Sequence, residues 1–426
     1  MSIRSYEDHT PPAGPIEPRD EAGRAAIPPV GSTLGDGRYE IREVLGEGGM
    51  STVLGAFDCD LQRPVAIKIL HELSAEAALL DEARVMGAAR SSEVVTVYAL
   101  HLDATPPFLV MERIEGTSLD ALLRQRPPGF REGIALLQRI AHAIDGLHAR
   151  GLAHGDVKAA NVIVQSDGAV KLIDLGLTAL LRRIGQGDVV GTPSHMPPER
   201  ARGLVVAPEL HARGDVYAFA VVAFHVLVGR GPFVSSSPHD LLRAHATEAP
   251  PDLSAISELA ASLDAPMRSA LAKDPAARPA SAGALAAALE RAARGTDESG
   301  RPARILIVDD DAEHRALHES VLRAGLPAAT IETASSAMEA LGRMDAARAP
   351  HLCVLDFAMP EIDGLAMIEA VRGRCPTART MIVTGEGSGR ERERALALGA
   401  RDFLVKPVDP DELVRRALAA LDATAA

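Results

Sequence analysis

The sequence predicts an α+β body followed by a smaller α/β domain. Three observations carry that prediction. Upstream, short strand patterns come first and helical ones follow; downstream, strands and helices alternate; a polar stretch lies between. A chain of 426 residues has room for two or three packed units, and 47% apolar residues can fill their cores.

The upstream strands fall at 39–44, 53–57, 64–70, 94–100 and 108–113, with a helix after the third and mostly helices after the last. The downstream strands fall at 304–308, 329–333, 352–355, 380–384 and 403–405, each followed by a helix, as in a five-stranded parallel sheet covered on both faces. Residues 1–36 hold six prolines among charged and small residues and no apolar period, so a disordered Pro-rich arm is expected there. The body then occupies 37–292 and the second domain 303–424. Residues 293–302, inside the polar run RAARGTDESGRPAR, read as a soft linker.

A net charge of −13 and a pI near 5.6 exclude the basic face of a nucleic-acid binder. Cys59, Cys353 and Cys375 are far apart and lack CxxC or Cys/His spacing, which excludes a disulfide framework and a zinc site and suits a reducing cytoplasm. The longest apolar run, 216–228, is interrupted by His225 and is shorter than the ~20 residues of a membrane span, so a buried helix and a soluble protein are expected. The fourteen histidines are scattered; His142 and His148 read as surface or capping residues.

Leu45-Gly46-Glu47-Gly48-Gly49-Met50-Ser51-Thr52-Val53 lies between two strand patterns. Glycines at a hairpin tip let backbone N–H groups close over phosphates, although an ordinary glycine turn would look the same. Val65-Ala66-Ile67-Lys68 puts a lysine on an otherwise buried strand, where it is costly unless paired. Glu82, on one helix face with Leu79 and Met86, is the natural partner; taken singly it would be one more solvated acid. His154-Gly155-Asp156-Val157-Lys158-Ala159-Ala160-Asn161 precedes a hairpin with an Asp167-Gly168 turn that runs into Asp174-Leu175-Gly176. The hairpin predicts that Asn161 and Asp174 meet at its open end, an amide and a carboxylate suited to Mg²⁺ carrying phosphate oxygens. Asp156 can accept a hydroxyl proton, and Lys158 can neutralise a transferring phosphoryl group.

In this order the segments resemble the protein kinase family over about residues 39–292, joined by Gly191-Thr192-Pro193, Pro197-Pro198-Glu199, Asp215-Val216-Tyr217 and Arg278. The resemblance is to bacterial kinases of the eukaryotic Ser/Thr type, and Lys158 with Thr192 resembles the Ser/Thr class. It implies a bilobal α+β fold and ATP-dependent phosphorylation of serine or threonine in a protein substrate. Catalytic roles would fall to Lys68, Glu82, Asp156, Lys158, Asn161 and Asp174. Nucleotide contacts would come from Gly46, Glu47, Gly48, Gly49, Val53, Ala66, Lys68, the gatekeeper Met111, the hinge residues Glu112 and Ile114, and Asn161 and Asp174. Metal would sit on Asn161 and Asp174, and Arg278 would pair with Glu199. Three departures stand out. Gly155 replaces the arginine that grips an activation-loop phosphate, and 179–191 holds no Ser, Thr or Tyr, so no phosphate and no clamp are expected. Ser51 replaces the third glycine, and the connection from Lys68 to Glu82 is short. The rival reading is an inactive kinase fold acting as a scaffold.

Ile305-Leu306-Ile307-Val308 ends in Asp309-Asp310-Asp311, which alone would be helix capping. The other strand ends are Asp356, Thr384 and Lys406-Pro407. In a parallel sheet these ends share the edge where α/β folds carry their sites. Carboxylates gathered there repel unless a cation such as Mg²⁺ bridges them. Asp356 could then attack a phosphoryl donor while Thr384 and Lys406 hold the product oxygens. This set resembles the response-regulator receiver family over about 303–424. The resemblance implies a flavodoxin-like (βα)5 sheet in the order 2-1-3-4-5 and metal on Asp309, Asp310, Asp356 and the Ala358 carbonyl. It also implies Asp356 as phosphoacceptor, switch residues Thr384, Phe403 and Lys406, a histidine kinase or phosphotransfer protein as donor, and dimerisation through the face around Phe403.

Overall fold

The computed structural model describes residues 27–48, 51–71, 76–89, 91–175, 192–204, 207, 210–344, 349–360, 362–385 and 388–422. The chain divides into two compact units. The first takes the chain up to Thr117 with Gly146–Asp156 and the segment from Asn161; the second holds the remainder.

In the first unit, β1 (Thr33–Leu34), β2 (Tyr39–Glu47), β3 (Ser51–Asp58), β4 (Arg63–Leu70), β5 (Val97–His101) and β6 (Phe108–Glu112) form an antiparallel sheet in the order β1-β2-β3-β4-β6-β5. The two-residue period of a strand decides what this sheet buries. Val65, Ile67 and Ile69 of β4 join Tyr39, Ile41, Leu54, Phe108 and Val110 in one core. Ala66 and Lys68 fall on the other face by the same alternation.

Two expectations change here. The arm gives way before residue 36, because Leu34 is buried and pairs with Tyr39. A two-residue strand between glycines is too short to show a period. Strand β5 starts at Val97 rather than 94, because the Val95 N–H donates to the Leu172 carbonyl instead, at 3.1 Å. Leu172 belongs to the hairpin of β8 (Val162–Val164) and β9 (Val170–Leu172), which follows the short strand β7 (Thr117–Ser118).

The second unit contains the helix His211–Val228, buried from Asp215 through Phe224 and closed by Gly229 in the left-handed region (φ 79°). A helix apolar all round is one that other elements surround. Among the described residues no helix is long and apolar enough to cross a membrane. The helix Ala282–Ala292 is capped by Ser281, and Asp145 accepts from the backbone N–H groups of Ala282 and Gly283.

The downstream sheet, β10 (Arg304–Val308), β11 (Thr330–Ala334), β12 (Leu352–Leu355), β13 (Arg379–Thr384) and β14 (Asp402–Val405), is parallel in the order β11-β10-β12-β13-β14. This is the expected 2-1-3-4-5. Alternation divides its strands between two cores, Ile305, Ile307, Val354 and Val383 on one face and Leu306, Val308, Cys353 and Leu355 on the other.

Residues 293–302 are not a soft tether. They form a compact turn in which Thr296 pairs with Pro302 and is fully buried. The polarity that reads as a linker is consumed within the turn: Asp297 accepts from the N–H groups of Ser299 and Arg301 and from the Arg301 guanidinium.

Candidate functional site

Two clusters of chemical side chains emerge, one in each unit. In the first, β4 carries Lys68 on the face opposite the core, and its Nζ lies 2.7 Å from Glu82 Oε1 and 2.8 Å from Asp174 Oδ1. Glu82 projects from the helix Glu76–Ala89. Burial opposes the Lys68 charge, but the two carboxylates outweigh it and hold the ammonium above its ordinary range. Burial pushes the Glu82 carboxyl up, against the pull of Lys68.

The β8–β9 hairpin does what its Asp-Gly turn predicts. The Ile173 N–H donates to the Asn161 carbonyl at 3.0 Å, closing the open end where Asn161 and Asp174 emerge. Asp174 has φ 60°, a left-handed conformation that a non-glycine residue seldom adopts and that collects at functional sites. Asn161 Nδ2 donates to the Asp156 carbonyl at 2.9 Å and to Asp156 Oδ2 at 3.2 Å. Its amide nitrogen is thereby committed, and the oxygen is the Asn161 atom suited to ligating a cation. Gly155, just before Asp156, has φ 79°. On the rim, Gly46 pairs with Val53 and Glu47 with Thr52, while the Gly48 N–H donates to the Ser51 carbonyl at 2.9 Å. Ala66 pairs with the buried Met111, and Ile114 is partly buried two residues after Glu112. Gly49 and the 179–191 loop lie outside the described residues.

In the second unit, Lys158 Nζ donates to Thr192 Oγ1 at 2.8 Å. Arg278 meets Glu199 in a two-pronged pair, Nη1–Oε1 3.0 Å and Nη2–Oε2 2.6 Å, with both side chains buried, as the resemblance implies.

The other cluster occupies the carboxyl edge of the parallel sheet. Lys406 Nζ lies 2.8 Å from Asp309 Oδ2 and 2.9 Å from Asp356 Oδ1. Burial works against the Lys406 charge, but its bonds to Asp309 and Asp356 hold its proton affinity above the ordinary range. Asp356 Oδ2 accepts from the Ala358 N–H at 2.9 Å. Thr384 is fully buried, and Phe403 is buried with its ring 6.2 Å from that of Phe357. The expected acidic trio is not gathered. Asp310 is exposed, and among the described residues no three His, Cys, Asp or Glu side chains converge on one point. Two carboxylates facing each other need a counter-charge, and here Lys406 supplies it. Asp309, Asp356 and the Ala358 carbonyl are still hard oxygen donors of the kind Mg²⁺ takes.

The family described as "Protein kinase domain" matches residues 39–289. The chain belongs to the protein kinase family. A second match, "Response regulator receiver domain", covers residues 305–418. Relatives of the kinase domain include serine/threonine-protein kinase PknB of Mycobacterium tuberculosis, 34% identical over 299 residues, 66% of this chain and 46% of that protein. PksC of Streptomyces coelicolor is 35% identical over 276 residues, 60% of this chain and 49% of that one. The kinase pkn2 of Myxococcus xanthus is 34% identical over 275 residues, 60% of this chain and 32% of that one. The chain thus spans less than half the length of each.

Sequence reasoning missed two groups beside these kinase and receiver clusters. Lys171 Nζ binds both oxygens of Glu112, at 2.6 and 2.7 Å. In the receiver domain, His314 Nδ1 lies 3.3 Å from Lys406 Nζ and the buried His318 lies 4.0 Å from Asp309. The i, i+4 spacing of the two histidines was the available signal for the second; the Lys171 pair, 59 residues apart, had none.

Proposed function

We propose that the kinase domain passes the γ-phosphate of ATP to serine or threonine hydroxyls of a protein substrate, and that the receiver domain takes phosphate onto Asp356 and modulates that transfer. The observation that carries the first half is the buried Lys68 ammonium held between Glu82 and Asp174, within one unit with the Asn161–Asp156 pair. Glu82 keeps Lys68 directed at the phosphates. Asn161 and Asp174 would hold Mg²⁺, which offsets charge on the phosphate oxygens when bound. Asp156 accepts the proton of the attacking hydroxyl, and Lys158 balances charge on the moving phosphoryl group. The Arg278–Glu199 pair braces the substrate side of the domain.

For the receiver, an Asp356 carboxylate oxygen attacks a phosphohistidine of a histidine kinase or phosphotransfer protein, and the histidine nitrogen leaves with the electron pair. Lys406 binds an oxygen of the new acyl phosphate, and Thr384 another. Mg²⁺ would be held by Asp309, Asp356 and the Ala358 carbonyl, with Asp310 beside them in the chain. Self-association through the receiver face near Phe403 accords with the exposed Leu396 and Val405. The wide separation of Cys59, Cys353 and Cys375 along the chain accords with a reducing cytoplasm.

The test is incorporation of labelled γ-phosphate into a generic protein substrate, expected in the wild type and lost in Asp156→Ala and Lys68→Met. A wild type without incorporation would leave the chain a scaffold. Labelling of the receiver by acetyl phosphate should vanish in Asp356→Asn; labelling that persists would remove Asp356 as the acceptor.

A further inference from the structure

The turn between the helical part of the second unit and β10 is gripped on both sides. On one side, a Cβ built at Gly300 would lie 2.5 Å from the Phe130 ring and 2.6 Å from Leu259. The Gly300 carbonyl accepts from the Ala260 N–H at 3.0 Å, and the Thr296 carbonyl accepts from the Arg131 guanidinium at 3.0 Å. On the other side, a Cβ at Gly295 would lie 2.9 Å from Ala329. The Arg294 carbonyl accepts from the Ala328 N–H at 3.1 Å, and the Gly295 carbonyl from the Ala303 N–H at 2.8 Å. Both glycines have positive φ, 86° and 81°, so other residues would be strained as well as crowded.

The receiver side of this contact is the amino edge of its sheet. Arg304 opens β10, His351 precedes β12, and Arg379 opens β13. These three are joined to one another: the His351 N–H donates to the Arg304 carbonyl at 2.7 Å, the Arg304 N–H to His351 Nδ1 at 2.9 Å, and the Arg379 N–H to the His351 carbonyl at 3.0 Å. Side chains of the turn face them, with Asp297 3.8 Å from His351 Nε2 and Glu298 3.7 Å from Arg379. Those same strands end at Asp309, Asp356 and Thr384, roughly 15 Å away at 3.3 Å per residue. The helix Ala312–Gly325 repeats the pattern, since His314 near one end meets Lys406 and Leu326, just past the other, flanks Gly295. On the kinase side, Phe130 and Arg131 open the helix Phe130–His148, after which the chain runs on to Asp156.

We infer that residues 293–303 are a rigid coupling joint, through which the state of the Asp356 pocket reaches the kinase domain along β10, β12 and β13 and the Phe130 helix. The inference rests on the proposed phosphorylation and modulating role of the receiver, and it adds the route. A tethered receiver that acts by letting go needs a loose connection; this one is hydrogen-bonded on both sides and sterically closed at Gly295 and Gly300.

The test uses the full chain, with and without acetyl phosphate. Its variants are Gly300→Val, Arg131→Ala and an insertion of about six Gly/Ser residues after Ser299. The wild-type kinase rate should change by about five-fold or more on treatment, the lower range of allosteric coupling. The insertion and Gly300→Val should bring that ratio close to one, and Arg131→Ala should reduce it. Untreated rate and phosphate uptake on Asp356 should stay within about two-fold of wild type, as for changes remote from a site. An insertion variant that keeps the wild-type ratio overturns the route. A wild-type ratio of one overturns the modulating reading and the coupling with it. Amide exchange judges the joint separately: slow exchange at the Ala303 and Ala328 N–H groups in the wild type, lost on insertion, supports it, and fast exchange in the wild type refutes it.

Discussion

Replacing Lys171 with methionine tests how Glu112, proposed as hinge of the nucleotide site, is held to the strand that leads into Asp174. Lys171 lies three residues before Asp174, and Glu112 directly follows Met111. The two charges meet at 2.6 and 2.7 Å with side chains only 14% and 23% exposed. At an effective dielectric of about 20, unit charges at that separation attract by roughly 6 kcal/mol before desolvation. Desolvation and lost side-chain freedom remove most of this, since hydrogen bonds to charged groups net about 1.5–3 kcal/mol. Exposed pairs net less, about 0.2–1 kcal/mol. A half-buried, two-pronged pair should fall between, with a coupling of about 1–2 kcal/mol. The assay is a double-mutant cycle of Glu112→Gln and Lys171→Met by urea unfolding, with KM for ATP measured on each variant. Either single change should raise KM about five-fold, the equivalent of ~1 kcal/mol, and the double change should cost less than the sum of the two. A coupling below about 0.3 kcal/mol, or an unaltered KM in both single variants, would refute the reasoning.

Three further outcomes follow from other parts of the molecule. Arg278→Ala should cost about 3–5 kcal/mol in urea unfolding, because it strands the buried Glu199 carboxylate, and a double Arg278→Met, Glu199→Leu change should recover part of the loss. Burial, with the nearby Lys273 charge, pushes the His245 imidazole down to about 4. Its folded-state affinity for protons is thus depressed, so its contribution is complete above pH ~6.5 and is lost as the pH falls from there toward about 4; His245→Gln should flatten the acid limb of the stability profile, by an amount on the order of 3 kcal/mol at most. Lys406→Met leaves Asp309 and Asp356 without the ammonium they share, so labelling by acetyl phosphate should slow by about ten-fold, the equivalent of ~1.4 kcal/mol of lost charge-assisted hydrogen bonding.

What could be read from the residues alone divides along a physical line. Lys68 and Glu82 were legible because an isolated lysine in a buried strand demands a partner. Asn161 and Asp174 were legible because a hairpin turn fixes which residues meet at its open end, and Asp309, Asp356 and Lys406 because parallel strands align their carboxyl ends. Lys171 was not, since a lysine in a short hairpin looks solvated until its distant partner is seen. Asp309 and Asp310, paired by the receiver resemblance, differ in burial, the first buried and the second exposed, a difference that adjacency in sequence does not show. The 293–302 turn was illegible for a further reason. Asp, Ser, Gly and Arg have one composition whether they face water or saturate each other's backbone groups, and composition is all a linker prediction reads. The cost of a hidden polar group is visible in sequence; the satisfaction of one is not.

The glycine ahead of Asp156 bears on how this chain can change. Its backbone, at φ 79°, sits where an L-amino acid incurs a penalty of about 1 kcal/mol, so placing arginine there would be mildly unfavourable from the outset. The stretch 179–191 would then offer that arginine no hydroxyl-derived anion to hold. Building such a clamp therefore requires two changes, neither useful without the other. Control of the kinase domain would then fall more readily to the remainder of the polypeptide.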